Sequence, residues 1–349
     1  MSGVLTRRLG IEHPVVLGPF GGLSSVELAA AVSRRGGLGS YGLYGYDTDR
    51  ISETAASLRA ATDRPFALNL WLPLDREESG AAFEAAARAM AALYAEVGLE
   101  PPPAPPARYL PAVEDQWAAA VAARPAAISC VYGVPTRAQL EAAHEAGIAV
   151  IGTATTVAEA IALEAGGADV IVASGAEAAG HRVSFLRPAE QSLVGTFALV
   201  PQISDAVNVP VLAAGGVADR RGVAAAFALG ADGVQVGTAF LRTRQSAASD
   251  AHRVAIASTA AEDATLTRAM SGRLARGARN RAVEALEAAG AIAPFPVQNH
   301  LTGGFRTEAG RRGLGDLQSL WLGQASRLAV HDDADAVFDE LLAGVPASD

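Results

Sequence analysis

The sequence predicts a (β/α)8 barrel with a small helical lid domain inserted after its eighth strand. Three observations carry this reading. Eight short apolar or β-branched runs recur, at 14–18, 37–40, 66–70, 126–131, 149–152, 169–173, 209–213 and 232–236. Alanine-rich segments with helical spacing lie between most of them, such as 25–35, 136–146, 157–165 and 220–229. Strands alternating with helices of this length build βαβ units and a parallel sheet. The last two runs end in glycines, in Pro210-Val-Leu-Ala-Ala-Gly-Gly-Val217 and Gly230-Ala-Asp-Gly-Val-Gln-Val-Gly-Thr238. Glycine lets backbone N–H groups approach an anion closely, and the phosphate site of a barrel commonly follows its seventh and eighth strands.

Taken in order, the first run leads into Gly18-Pro-Phe-Gly-Gly22, and the third places Asn69 near its end. No Gly-x-Gly-x-x-Gly opens the first helix, which weakens an open dinucleotide-binding sheet. Two regions break the alternation. Residues 76–124 hold two alanine-rich helical stretches around Pro101-Pro-Pro-Ala-Pro-Pro106, a stiff extended loop. After the eighth run, residues 246–300 read as a helical insertion above the C-terminal face, and helices near 317–328 and 334–342 return to close the barrel. The implied division is a barrel over 1–245, a lid over 246–305 and closing helices over 306–349.

Composition narrows the chemistry. The 349 residues are half hydrophobic, enough for one sizeable core. The net charge of −9 offers no footprint for nucleic acid. No apolar run reaches the roughly 18 residues that span a bilayer, and the first residues lack a signal-peptide core, so a cytoplasmic protein is expected. Cys130 is the single cysteine, so no internal disulfide forms. The chain has no lysine; all 28 basic residues are arginine. That excludes Schiff-base aldolases and pyridoxal-phosphate enzymes, which need a lysine amine.

The best candidate for proton chemistry follows the sixth run, in Val172-Ala-Ser-Gly-Ala-Glu-Ala-Ala-Gly-His-Arg182. His181 sits among glycines on a loop at the catalytic face, where an imidazole can take or give a proton or steady an anion. His13, His144, His252, His300 and His331 lack this setting. No cluster has metal-ligand spacing and no Gly-x-Ser-x-Gly elbow occurs.

The segment Ser174-Gly-Ala-Glu-Ala-Ala-Gly-His-Arg182, with Gly18-Pro-Phe-Gly-Gly22 and Asn69, resembles the nitronate monooxygenases, formerly 2-nitropropane dioxygenases. The likeness covers nearly the whole chain, through Gly133-Val-Pro135, Thr196-Phe-Ala-Leu-Val-Pro-Gln202, both glycine motifs, Ser271-Gly-Arg273 and Leu320-Trp-Leu-Gly-Gln324. It implies an FMN-bound barrel that oxidises alkyl nitronates with molecular oxygen. By the resemblance, Gly215 and Gly216 with Gln235, Val236, Gly237 and Thr238 hold the FMN phosphate. Asn69 meets flavin or substrate, Gly21 and Gly22 lie against the flavin ring, and His181 is catalytic. Ser174, Ala179 and Gly180 complete the cofactor wall. Partners are then a nitronate and O2, and the apolar lid and closing helices allow a homodimer without requiring one.

The chain departs from the family pattern at four places. Ser174 replaces a usual glutamine, Ala179 and Val183 replace glycines, and Phe20 stands where methionine is common. Alanine tolerates positive φ poorly, so Ala179 raises the question of loop strain. Two rival readings remain: an FMN- and NAD(P)H-dependent enoyl-thioester reductase, and a flavin-binding protein without this activity.

Overall fold

A computed structural model describes residues 2–73 and 80–347; the start of the 76–124 segment, 76–79, falls outside the described residues. The eight barrel strands are β1 (Val15–Leu17), β2 (Gly39–Gly42), β3 (Phe66–Trp71), β4 (Ala127–Val131), β5 (Ala149–Ala154), β6 (Val170–Ser174), β7 (Val211–Ala214) and β8 (Gly233–Val236). All neighbours are parallel, in the order β1-β8-β7-β6-β5-β4-β3-β2. Between β1 and β2 the ring closes through single bridges: Leu17 N–H donates to Leu38 O at 2.9 Å, and Leu38 N–H to Val15 O at 3.0 Å. β2 begins two residues later than its apolar run. Gly36, at φ +82°, ends the preceding helix with a tight turn that consumes Gly37, whose N–H donates to Val32 O.

Strand periodicity sorts the core. Val16, Leu38, Ala67, Ile151, Val172 and Leu212 form one cluster inside the barrel, and Leu5 and Leu9 of the helix Ser2–Leu9 pack into it. Their neighbours, among them Leu17, Leu68, Ile128, Ile171, Val211 and Val234, join Leu28, Leu58, Leu163 and Ile203 of the surrounding helices. Side chains two apart share a face, so buried strands contribute to both clusters at once. Polar residues start the helices where the sequence changes character: Ser25, Thr136 and Asp219 each accept from backbone N–H groups of the following turn.

A second core lies beyond the C-terminal ends of the strands. Phe83, Met90 and Tyr94 from the 76–124 segment pack with Met270, Leu286, Leu301 and Phe305 from the segment after β8. The two interruptions of the barrel therefore share one apolar cluster. The segment after β8 is also not wholly helical. Ala264–Thr267 and Ala275–Ala278 form an antiparallel hairpin, and Ala275–Ala278 pairs in turn with Gly180–His181. Their partner strand is some 95 residues away, which local propensity does not register.

The helix Ala334–Leu342 packs on helix Val26–Arg34 and on β1. Residues 317–328 do not form the expected helix. They form the 3-10 turns Gly315–Leu317 and Ser326–Leu328, joined by extended chain whose Trp321 bridges Gly277. Gly323 fits between Glu177 O and Thr238 Oγ1, a route a helix could not follow.

At Gly39 the helix Val26–Arg34 lies directly on the barrel, since a Cβ there would lie 2.0 Å from Ala29 O. Gly39→Ala therefore forces the helix Val26–Arg34 off β2. We expect a loss of at least about 2 kcal/mol in urea unfolding, and an unchanged midpoint would contradict this packing.

Candidate active site

The C-terminal ends of the strands open into one cavity of about 890 Å³, roofed by the helix Val297–Arg311 and by residues 318–325. Twelve of the thirteen residues singled out from the sequence line it: Gly21, Gly22, Asn69, Ser174, Ala179, Gly180, His181, Gly215, Gly216, Gln235, Gly237 and Thr238. Val236 is the exception; it turns outward into the core between sheet and helices.

The glycine end is built by backbone. Gly215 and Gly216 hold φ of +94° and +75°, and a Cβ on Gly215 would lie 2.9 Å from Ala178 N. Glycine alone meets both demands. Gly237 precedes the short helix Thr238–Leu241, whose first amides have no partner within the helix. Added Cβ atoms at Gly216 and Gly237 would make only ordinary contacts, at 3.9 and 3.5 Å, and both residues line the cavity.

The loop after β6 is pinned from three sides. Arg182, 2% exposed, donates to Ser174 O at 2.9 Å and Gly175 O at 2.7 Å, so its charge sits on two carbonyls at the strand's end. Burial lowers its pKa to about 10. Glu177 accepts from Thr196 N–H and Oγ1, capping the helix Thr196–Ala206. Arg276 of the hairpin donates to Ala176 O at 2.9 Å. Ala179 does not adopt positive φ; Gly180 does, at +70°, so the alanine costs the loop no backbone strain. Val183 packs with Val131 and Tyr132 under Trp71.

His181 stands between the rings of Trp71 and Trp321, with centroids 5.0 and 5.5 Å away. Its Nε2 lies 2.8 Å from Ser271 Oγ. The Ser271 hydroxyl has a second acceptor in Arg273 O at 3.2 Å, so the ring tautomer is coupled to where that proton goes. Burial, reinforced by the charges of Arg273 and Arg306, pushes the imidazole down to about 3. The ring is therefore neutral across the physiological range. Asn69 is fixed by donating to Ser129 Oγ at 3.0 Å.

Several cavity residues escaped the sequence reading. Tyr44, Trp71, Asn299 and Arg306 line it, and buried His252 holds Trp321 O at 2.8 Å. Trp71 was within reach, because strand periodicity puts it on the side of Asn69. Helical spacing likewise groups Asn299, Gly303, Arg306, Thr307 and Gly310 on one face, yet that face is polar and carries no apolar signal. Among the described residues the cavity's only carboxylate is Glu177, already engaged by Thr196, against Arg50, Arg306 and Arg311. An acidic chain thus presents a cationic cavity.

Fold and cavity together define a (β/α)8-barrel enzyme. The sequence model of the family described as Nitronate monooxygenase matches residues 2–344. A probable nitronate monooxygenase of Staphylococcus aureus is 38% identical over 345 residues, covering 97% of this chain and 96% of that protein. The crystal structure of nitroalkane oxidase from Streptomyces ansochromogenes superposes with a TM-score of 0.86 at 33% identity, over 97% of this chain and 96% of that one. FabK from Thermotoga maritima follows with a TM-score of 0.76 at 28% identity, over 97% and 94%. The chain belongs to the nitronate monooxygenase family and is a flavin-dependent oxidoreductase. No helix among the described residues is long and apolar enough to cross a membrane.

The state of His181 makes stability depend on pH. An unfolded chain takes up this proton near pH 6.5 while the folded one resists until about 3. Its contribution is thus fully present above about 6.5 and is lost as pH falls through that window. Wild type should lose more stability than His181→Gln between roughly pH 8 and pH 5 in paired denaturant titrations. Parallel curves would contradict a neutral, enclosed imidazole.

Proposed function

We infer that the cavity oxidises alkyl nitronates with molecular oxygen, using FMN. The observation that carries the reading is a cationic, aromatic-walled cavity that ends in an open glycine cradle and holds a neutral histidine. Cradle and cofactor fit: Gly215, Gly216, Gly237 and Thr238 line the cavity and offer backbone amides to it, as a terminal phosphate requires. Gln235 would support that end. Gly21, Gly22, Asn69, Ser174, Ala179 and Gly180 would form the wall along the flavin. The chemistry a flavin supplies when bound is the acceptance of electrons from the nitronate and their transfer to oxygen.

The protein's own contribution is to favour an anion and keep it in place. A nitronate brings its negative charge with it, and the arginines around the cavity attract it. His181 can offer or accept a hydrogen bond without a charge of its own. Serving as base toward a neutral nitroalkane would require an imidazolium between two indoles and near two guanidinium groups, which its depressed pKa opposes. This favours preformed nitronates over neutral nitroalkanes as substrates. The shared cluster of 82–97 and 269–317 would serve as the cover that keeps bulk water out. We assign the lid to that composite, with 246–305 as its larger part.

Two linked measurements test the cofactor. The protein should purify yellow, and chromatography after denaturation should release FMN. Gly237→Asp should then bring the flavin content below a tenth of wild type with the far-ultraviolet spectrum intact, because a carboxylate would meet the phosphate. Release of FAD, or full occupancy in the variant, would overturn this placement.

A further inference from the structure

We propose that Arg306 is the specificity-determining residue of the cavity, binding a planar oxyanion, the nitro group of the nitronate, through its guanidinium fork. The inference rests on the functional reading above and adds the residue that selects the charge. Three arginines line the cavity, and two have other engagements. Arg311 is paired with Glu308 at 2.7 and 2.9 Å. Arg50 is exposed and lies 3.7 Å over the Tyr46 ring.

Arg306 is different. No carboxylate among the described residues pairs with it; the groups that act on its charge are the hydroxyls of Tyr44 and Tyr94. Nη1 donates to Ser319 Oγ at 2.6 Å, and Nη2 donates to Asn299 Oδ1 at 2.9 Å and Asn299 O at 3.1 Å. Asn299 is held in turn, its Nδ2 donating to Tyr44 Oη at 2.9 Å. Nε is shut off from solvent and has no hydrogen-bond partner among the described residues. A guanidinium has five N–H protons, and these contacts do not use them all.

Arg306 is partly buried, and such a cation without a counter-ion is costly; its orphaned Nε adds to the cost. The missing counter-charge is supplied if an oxyanion enters the cavity, and two coplanar oxygens match the guanidinium fork where the contacts to Ser319 and Asn299 give way. The position suits a reacting group rather than the cofactor phosphate. Arg306 is close enough to His181 to depress its pKa, whereas the glycine cradle is built by the ends of β7 and β8. The face of Val297–Arg311 that carries it, Asn299-Gly303-Arg306-Thr307-Gly310, is small or polar apart from this one charge. Of the two arginines this helix brings to the cavity, only Arg306 lacks a carboxylate partner among the described residues.

Inorganic nitrate, planar and unreactive, is the probe. In the flavin-loaded protein it should compete with a nitronate and perturb the flavin absorbance on titration. Arg306→Gln should weaken nitrate binding and raise the nitronate KM by about 10- to 100-fold each, with a much smaller change in kcat. Arg306→Lys should fall between, keeping the charge but losing the fork. Nitrate affinity within twofold of wild type in Arg306→Gln would overturn the proposal. If that variant loses its flavin or its fold, Arg306→Lys decides: weaker nitrate binding supports the assignment, and unchanged binding refutes it. The arms separate the two readings. Arg306-dependent nitrate binding without nitronate turnover would sink the proposed activity alone, and turnover with Arg306-independent nitrate binding would sink this inference alone.

Discussion

The pairing of Gly180–His181 with Ala275–Arg276 joins the two parts of the molecule that the site requires. His181 follows a barrel strand in the chain, but its position is set by the segment after β8. Arg182 N–H donates to Leu274 O, Ser271 Oγ meets Nε2, and Arg276 reaches back to Ala176 O. Such backbone bonds are directional, so the ring has one orientation instead of a range of loop conformations. Arg182 completes the arrangement from below by neutralising the carbonyl dipoles at the end of β6.

Charge is organised against the average of the chain. The net charge is −9, while the cavity carries Arg50, Arg306 and Arg311 against a single carboxylate, Glu177, already bound to a helix start. In a partly enclosed space such charges are screened far less than on the surface. Aromatic rings around His181 deepen the effect by excluding water, and the same exclusion keeps the imidazole neutral. A site built this way favours a substrate that arrives as an anion over one that must be ionised inside.

The barrel was legible because its signals are local. Each strand is an apolar run, each helix begins at a residue such as Thr136 or Asp219, and the glycines at 215, 216 and 237 mark close backbone approach. What stayed hidden depends on distant partners. The hairpin at 264–278 is stabilised by pairing with residues 180–181, so its own sequence read as helix. Residues 317–328 were misread for a related reason: their path follows Gly277, Glu177 and Thr238, and little in their own composition records it. Arg306 was passed over because a polar helix face reads as solvent-facing until the cavity beneath it is known. Ala179 shows the opposite error, a strain expected from one substitution that the neighbouring Gly180 absorbs.

On the proposed function, an anion-selecting flavin cavity takes electrons from a nitronate. Anaerobic mixing of the purified, flavin-loaded protein with an alkyl nitronate, followed by the visible absorbance of the flavin, tests it most directly. Rapid bleaching by the nitronate is expected, with recovery of colour on admitting oxygen and no comparable bleaching by NADH or NADPH. A flavin that stays oxidised in the presence of nitronate, or that is bleached rapidly by a reduced nicotinamide, would contradict it.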